Sequence, residues 1–152
     1  FIFLYPGFNM RNNEIQAVIG LNQLKRLDAN NKLRAKNFKL FLSRLDKNKF
    51  FTDYLIEGNS NYAFPLILKT KSFRSRDRFE KYLTKNKIEF RRGNAGGGNQ
   101  MRQPYLKKII RLKSFNEFPN VEHVHHFGYY IGNFPTLSQK NIIKLVNIIN
   151  NY

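Results

Sequence analysis

The sequence has 152 residues, a length typical of one domain, with a formal net charge of +17 and no cysteine. The absent thiols exclude disulfides and thiolate metal sites and fit a reducing cytoplasm, no apolar run approaches the ~18 residues a bilayer span needs, and the start lacks the basic flank and cleavage site of a signal peptide. The 27 Lys and Arg against 10 Asp and Glu attract anions, but they are scattered along the chain, so nucleotides or diphosphates explain them as readily as nucleic acid does.

In chain order, Asn12 or Asn13 caps a first helix, with Glu14 in its first turn. Ile15, Val18, Ile19, Leu24 and Leu27 follow helical spacing, and Ala17 and Gly20 thin one face so that another helix can approach. Asn30-Asn31 should bend or interrupt this helix. A second helix, about Lys32 to Leu45, carries an apolar stripe of Phe38, Phe41, Leu42 and Leu45. Gly58-Asn59-Ser60 reads as a turn, and Tyr62 to Lys69 as a strand that Pro65 confines to an edge or a bulge. An amphipathic helix over Arg74–Asn86, capped by Ser75, buries Phe79, Tyr82 and Leu83. A short strand over Lys87–Arg91 then leads to a glycine-rich loop at 93–104 and a helix from Tyr105 to Leu112. A helical turn over Pro119–His126 and a strand over Tyr129–Ile131 come next. Thr136 with Gln139 forms a capping box for a last helix that buries Ile142, Ile143, Leu145, Val146 and Ile149. This order predicts an α+β layer, with long helices packed on one face of a small sheet. It predicts two parts: residues 1–48 as an interface loop and long helical segment, and 49–152 as a small α+β domain.

Four places carry candidate chemistry. Asn9 and Arg11 stand at the entrance of the first helix, where a carboxamide, a guanidinium and free N–H groups suit a phosphate. The plainer alternatives are a turn residue at Asn9 and an Arg11–Glu14 surface pair. Arg91 and Arg92 end a strand, a usual place for ligands, and adjacent strand residues point to opposite faces, so at most one faces a site. The loop offers Asn94, Asn99, Gln100 and Arg102 around glycines that let a backbone approach a phosphate or a sugar. It lacks the Gly-Lys-Ser/Thr of a P-loop, and a substrate-side lid competes with a simple surface loop. His123, His125, His126 and Glu122 make a poor metal set, and one imidazole is expected to pack or hydrogen-bond under the Phe127-Gly128-Tyr129 turn. No paired carboxylates or Ser/His/Asp arrangement stand out, so the chain itself offers no catalytic residue.

The stretch Gly7-Phe8-Asn9-Met10-Arg11, Glu14-Ile15-Gln16-Ala17, Ile19-Gly20-Leu21 and Gln23-Leu24-Lys25-Arg26-Leu27-Asp28 resembles the DegT/DnrJ/EryC1/StrS sugar aminotransferases. The family pattern is roughly G-Y-N-x-R, then E-I-Q-A-A-I-G-L-x-Q-L-K-x-L-D; Phe8 and Val18 depart mildly from it. Lys87-Ile88-Glu89-Phe90-Arg91 is similar to the family's G-I-E-T-R strand. Gly93-Asn94 through Arg102-Gln103-Pro104, with Tyr130 through Pro135, resembles a branch of sugar 3-dehydratases.

The resemblance implies pyridoxal-phosphate chemistry on an aspartate-aminotransferase-like fold (fold type I). It implies that this chain is the C-terminal part of such an enzyme, without the Schiff-base lysine and inactive alone. Asn9, joined by Arg11, would reach the cofactor phosphate of a partner subunit, so a homodimer is expected. Arg91 matches the family arginine, and Asn94, Asn99, Gln100 and Arg102 would meet the nucleotide-linked sugar. The implied reaction is amination of a keto-sugar with glutamate as donor, for surface polysaccharide or lipopolysaccharide, in the cytoplasm and away from membranes. The alternatives are a 3-dehydratase using the same cofactor and a non-enzymatic basic nucleic-acid-binding domain.

Overall fold

The structure, a computed structural model, describes residues 2–8, 10–107, 109–110 and 115–152. Helix α1 (Glu14–Leu24) is capped by Asn13, whose side chain accepts from Gln16 N–H at 2.9 Å. The chain breaks at Lys25-Arg26, and α2 (Leu27–Arg44) runs unbroken through Asn30-Asn31. The expected interruption at the asparagines is thus corrected: Asn31 Oδ1 accepts from Ser60 Oγ at 2.8 Å, so its polar side chain is used across the fold rather than against its own helix.

Strand β1 (Ala63–Ile67), β2 (Arg91–Arg92) and β3 (Gly128–Gly132) form an antiparallel sheet in the order β1-β3-β2. Pro65 pairs with Tyr130 from the outer strand β1, the edge position its missing N–H requires. The expected strand over Lys87–Arg91 is reduced to Arg91–Arg92, because Lys87 takes a positive φ of 57° as the chain leaves the preceding helix.

Helix α3 (Phe73–Lys85) starts one residue earlier than expected, and its cap is Ser72 rather than Ser75; Ser72 Oγ accepts from Ser75 N–H. Helix α4 is the short Pro104–Lys107; the helix expected to Leu112 does not continue through Ile109-Ile110, which form a turn and a bend, and Lys108, Arg111 and Leu112 lie outside the described residues. Helix α5 (Pro119–Phe127) runs directly into β3. Helix α6 (Gln139–Asn150) is capped by Ser138, which accepts from Asn141 N–H at 3.2 Å, so Thr136 is not its cap.

The register Phe64↔Ile131 and Leu66↔Tyr129 puts four apolar side chains on one face of the sheet. Helices α2, α3 and α6 bring Phe38, Phe41, Phe79, Leu83, Ile142 and Val146 against them, all buried. Phe41 stacks on Phe64 at 4.5 Å between ring centroids, and Phe79 touches Phe50, Tyr129 and Tyr152. Two buried amides close one end of this layer: Asn37 Nδ2 donates to Asn133 Oδ1, and Asn133 Nδ2 donates to the carbonyls of Arg34 and Asn61. The two asparagines satisfy each other and the backbone, as buried polar groups must. In contrast, α1 buries no residue at all.

Candidate functional site

The sheet register separates the two strand arginines. Arg92 pairs with Tyr129, on the core side, and its guanidinium binds Glu80 of α3 through Nε at 2.9 Å and Nη2 at 2.5 Å. Tyr129 OH donates to the same carboxylate at 3.0 Å; burial and that negative charge push its phenol well above the ordinary tyrosine range. Arg91 pairs with Tyr130 and so shares the opposite face with Pro65. It is exposed, has no ion pair among the described residues, and stands on a groove of about 450 Å³ with Tyr62, Phe90, Tyr130, Phe134 and Asn141.

The glycine-rich loop is folded, with tight turns at Ala95–Gly97 and Gln100–Arg102. Its glycines answer to packing as much as to any ligand. Gly98 has φ +61° and ψ −128°, and a Cβ there would stand 2.9 Å from His125 Cε1 and 2.7 Å from Asn94 Cα. A Cβ on Gly93 would drive into the backbone of Val124. The loop therefore lies flat on α5, and α5 holds it.

Glu122, which by sequence is only a weak metal-ligand candidate, is the centre of that hold. Its carboxylate accepts from Asn99 Nδ2 at 2.9 Å, from Arg102 Nε at 3.0 and 3.1 Å, from Arg102 Nη2, and faces His126 Nε2 at 3.0 Å. The Arg102 guanidinium holds the carboxyl far below the ordinary glutamate range, at about 2, with Asn99 and His126 adding to the effect. One turn on, His125 Nδ1 accepts from Asn99 N–H at 3.0 Å, and burial lowers the pKa of that imidazole, with His126 and Arg102 adding repulsion. A signal existed in the sequence: Glu122, His125 and His126 share a face at helical spacing, in a chain with only 10 acids to place against 27 cations.

Asn99 is 1% exposed, and its side chain also caps Met101 N–H at 3.0 Å. Arg102 lies with its guanidinium over Phe115 at 4.6 Å. Gln100 is exposed, donates to Gly98 O and accepts from Tyr105 OH. Asn94 lines a cavity of about 200 Å³ with Ile2, Gly97, Arg102, Gln103, Pro104 and His125. The loop residues are thus brought together, with Asn99 and Arg102 turned to Glu122. His123 behaves as expected of one imidazole here: it stacks on Phe127 at 5.0 Å and hydrogen-bonds Leu68 O at 2.7 Å.

Arg11 stands apart from the loop in sequence, in the exposed segment before α1, with no hydrogen bond or ion pair among the described residues; Asn9 lies outside the described residues. Two hydrogen bonds of Phe3 nonetheless tie the arm to the loop. Phe3 N–H donates to Gln103 Oε1 at 2.9 Å, and Tyr105 N–H donates to Phe3 O.

Set against known proteins, residues 2–150 match the DegT/DnrJ/EryC1/StrS aminotransferase family. The chain belongs to that family. Among curated DegT/DnrJ/EryC1/StrS-related proteins, it is 29% identical over 150 residues to a GDP-4-keto-6-deoxy-D-mannose 3-dehydratase of Yersinia pseudotuberculosis, covering 98% of this chain and 38% of the relative. It is 27% identical to the lipopolysaccharide biosynthesis protein RfbH of Salmonella typhimurium, covering 97% of this chain and 34% of that protein. The chain therefore spans little more than a third of these relatives.

Among solved structures, the E. coli GDP-4-keto-6-deoxy-D-mannose-3-dehydratase with bound hydrated PLP superposes with a TM-score of 0.76 at 27% identity, over 98% of this chain and 38% of that one. A 3-dehydratase with a trapped PLP-glutamate geminal diamine gives 0.76 at 26%, over 97% and 38%. The Helicobacter pylori aminotransferase PseC, of pseudoaminic acid biosynthesis, gives 0.73 at 18%, over 94% and 38%, a likeness of fold alone. The expected α+β architecture on a pyridoxal-phosphate sugar-enzyme fold is what these neighbours show.

Proposed function

We propose that these residues form the small-domain part of a pyridoxal-phosphate enzyme that acts on a nucleotide-linked keto-sugar. The observation that carries this is the family match over residues 2–150, joined to superposition on two PLP-bound 3-dehydratases. The part of the protein that holds the cofactor's lysine or histidine lies, on this reading, outside these residues. Residues 1–48 tie that part to the small domain at 49–152, although α2 already enters the small-domain core at Asn37 and Phe38.

The fit to the cofactor is at its phosphate end. Arg11 is exposed before the start of α1 and makes no ion pair among the described residues, and Asn9 lies two positions earlier in the sequence. Both would serve the neighbouring subunit of a homodimer in the cytoplasm. Pyridoxal phosphate, when bound, supplies the electron sink. The chain's own work is to bind and orient: Arg91, uncompensated on the open sheet face, suits the substrate diphosphate, while Asn94 and Gln100 suit the sugar. Asn99 and Arg102 shape the loop through Glu122.

The resemblance to the family implies amination. The alternative, removal of the 3-hydroxyl, has a specific observation in its favour: the 26–27% identical structures include 3-dehydratases, whereas aminotransferases such as PseC and the Streptococcus pneumoniae sugar aminotransferase stand at 14–18%. The test supplies the intact enzyme with GDP-4-keto-6-deoxymannose, glutamate and pyridoxal phosphate and reads the products by mass spectrometry. Both reactions turn glutamate into 2-oxoglutarate. Dehydration gives a sugar lighter by one oxygen, with ammonia released; amination leaves the nitrogen on the sugar. A product of neither kind, with this or other nucleotide-linked keto-sugars, overturns the proposal.

A further inference from the structure

A carboxylate that gathers donors from three side chains of its surroundings is more than a helix surface needs. Glu122 takes the Asn99 amide, both the Nε and Nη2 of Arg102, and His126. Asn99 is fixed a second time, by its N–H to His125 Nδ1, and Asn99 Oδ1 in turn receives Met101 N–H. Asn99, Met101 and Arg102 are therefore positioned from the same two residues of α5. We propose that Glu122 is a positioning residue: it presets the 94–103 loop to recognise the sugar ring of the substrate through uncharged groups. This rests on the reading that the enzyme acts on a nucleotide-linked sugar.

The charge pattern decides which part of such a ligand the loop suits. Arg102 is neutralised by Glu122, so the cavity it lines with Asn94, Gln103 and His125 carries no uncompensated positive charge from it. A phosphate there would have to displace a carboxylate already bound by a bidentate fork, whereas a sugar hydroxyl can use the Asn94 amide without breaking it, Gln103 being already bonded to Phe3 N–H and Gly97 O. Arg91 makes no ion pair among the described residues and stands on a sheet face away from Glu80 and Arg92. A diphosphate gains more there. The groups that face Glu122 are Arg102 and Asn99 from the loop and His126 from its own helix, with His125 and the Phe115 ring adjoining them.

The test replaces Glu122→Gln, which keeps the size and removes the charge. In the 152-residue chain, amide hydrogen exchange at Asn99 and Met101 is expected to speed up about tenfold or more, with Tyr129–Ile131 of β3 unchanged as the control. In the intact enzyme, KM for GDP-4-keto-6-deoxymannose is expected to rise about tenfold, while KM for glutamate stays as it was. Arg102→Lys, which keeps the charge but loses the fork, should act the same way. Unchanged loop exchange in Glu122→Gln overturns the positioning role. A loosened loop with an unchanged sugar-nucleotide KM overturns the assignment of the loop to the sugar. If Glu122→Gln does not fold, Asn99→Asp sets a second carboxylate against Glu122 and must loosen the loop. Should the wild-type enzyme turn over no nucleotide-linked keto-sugar, the functional reading fails, and the exchange result alone still decides whether Glu122 holds the loop.

Discussion

Two helices of nearly equal length in this molecule begin in the same manner and end in different worlds. Helix α1 has Asn13 as its cap and α6 has Ser138, and in both a side-chain oxygen accepts from the N–H three residues on. Yet α6 buries Ile142, Val146 and Ile149 completely, whereas α1 leaves Ile15, Val18, Ile19, Leu21 and Leu24 more than half exposed. Helices this short are marginal without tertiary packing. The apolar face of α1 is thus written for a surface that the described residues do not supply, and the comparison shows that amphipathic spacing reports a buried face without saying where its partner lies.

The sharpest way to break that comparison is to cut a large side chain from each region. Phe64→Ala removes a ring that is fully buried and stacked on Phe41 at 4.5 Å, and should cost about 3–5 kcal/mol in chemical denaturation. Ile19→Ala in α1 should stay within about 0.5 kcal/mol, because the side chain is 56% exposed on a helix that buries no residue. A large loss from Ile19→Ala would mean that the arm belongs to the core after all.

The glycine-rich loop stands between these extremes: it has no apolar core of its own and is held by polar contacts. Gly98→Ala should cost about 1–3 kcal/mol locally, since φ +61° with ψ −128° is glycine territory and the new methyl meets His125. Loop amides, not the global midpoint, should report it.

Acid should undo the same loop in two stages. His125 has a depressed folded pKa, so its contribution is complete above the ordinary value of 6.5 and declines as pH falls below it; protonation of Nδ1 removes the acceptor for Asn99 N–H. Glu122 also has a depressed pKa, so its contribution is complete above 4.5 and is lost as pH falls toward about 2. Chemical shifts of the Asn99 and Met101 amides, followed by NMR from neutral pH downwards, should move in the first window and move further in the second, with β3 amides steady through the first. A single transition shared by loop and sheet would show that the loop has no separate anchor.

What the sequence disclosed and what it hid follow the same division. Apolar spacing revealed Phe38, Phe41, Phe79, Leu83 and Val146 as core, because burial is what spacing encodes. Pro65 marked an edge strand because a missing donor is visible in one letter. The hidden features were those set by contacts distant in sequence. Asn30-Asn31 looked like a break until Ser60 supplied Asn31 with a partner, and the actual break at Lys25-Arg26 has neither Gly nor Pro to announce it. Ser75 and Thr136 were plausible caps, but each helix took the serine whose backbone was extended, Ser72 and Ser138. At the site, the loop and its arginine were legible, while Glu122, which gives the loop its shape, was not, since nothing local says that residue 122 meets residues 99 and 102.

The smallest effect tests the comparison most closely. Ser138→Ala and Asn13→Ala remove equivalent capping bonds, to Asn141 N–H at 3.2 Å and to Gln16 N–H at 2.9 Å. Each loss should weaken its own helix by about 1 kcal/mol. Helix α6 unfolds with the core, so Ser138→Ala should lower global stability by about that amount in chemical denaturation. Helix α1 buries no residue and its main contacts are with α2, so Asn13→Ala should leave the global midpoint in place and instead reduce helical circular dichroism before the main transition begins. Addition of the rest of the enzyme should reverse the second result: once the exposed face of α1 is covered, frayed turns at its start cost binding free energy, and Asn13→Ala should weaken that association. Equal midpoint shifts for the two variants in the isolated chain would mean that α1 and the core fold as one unit, and the distinction between arm and core would be lost.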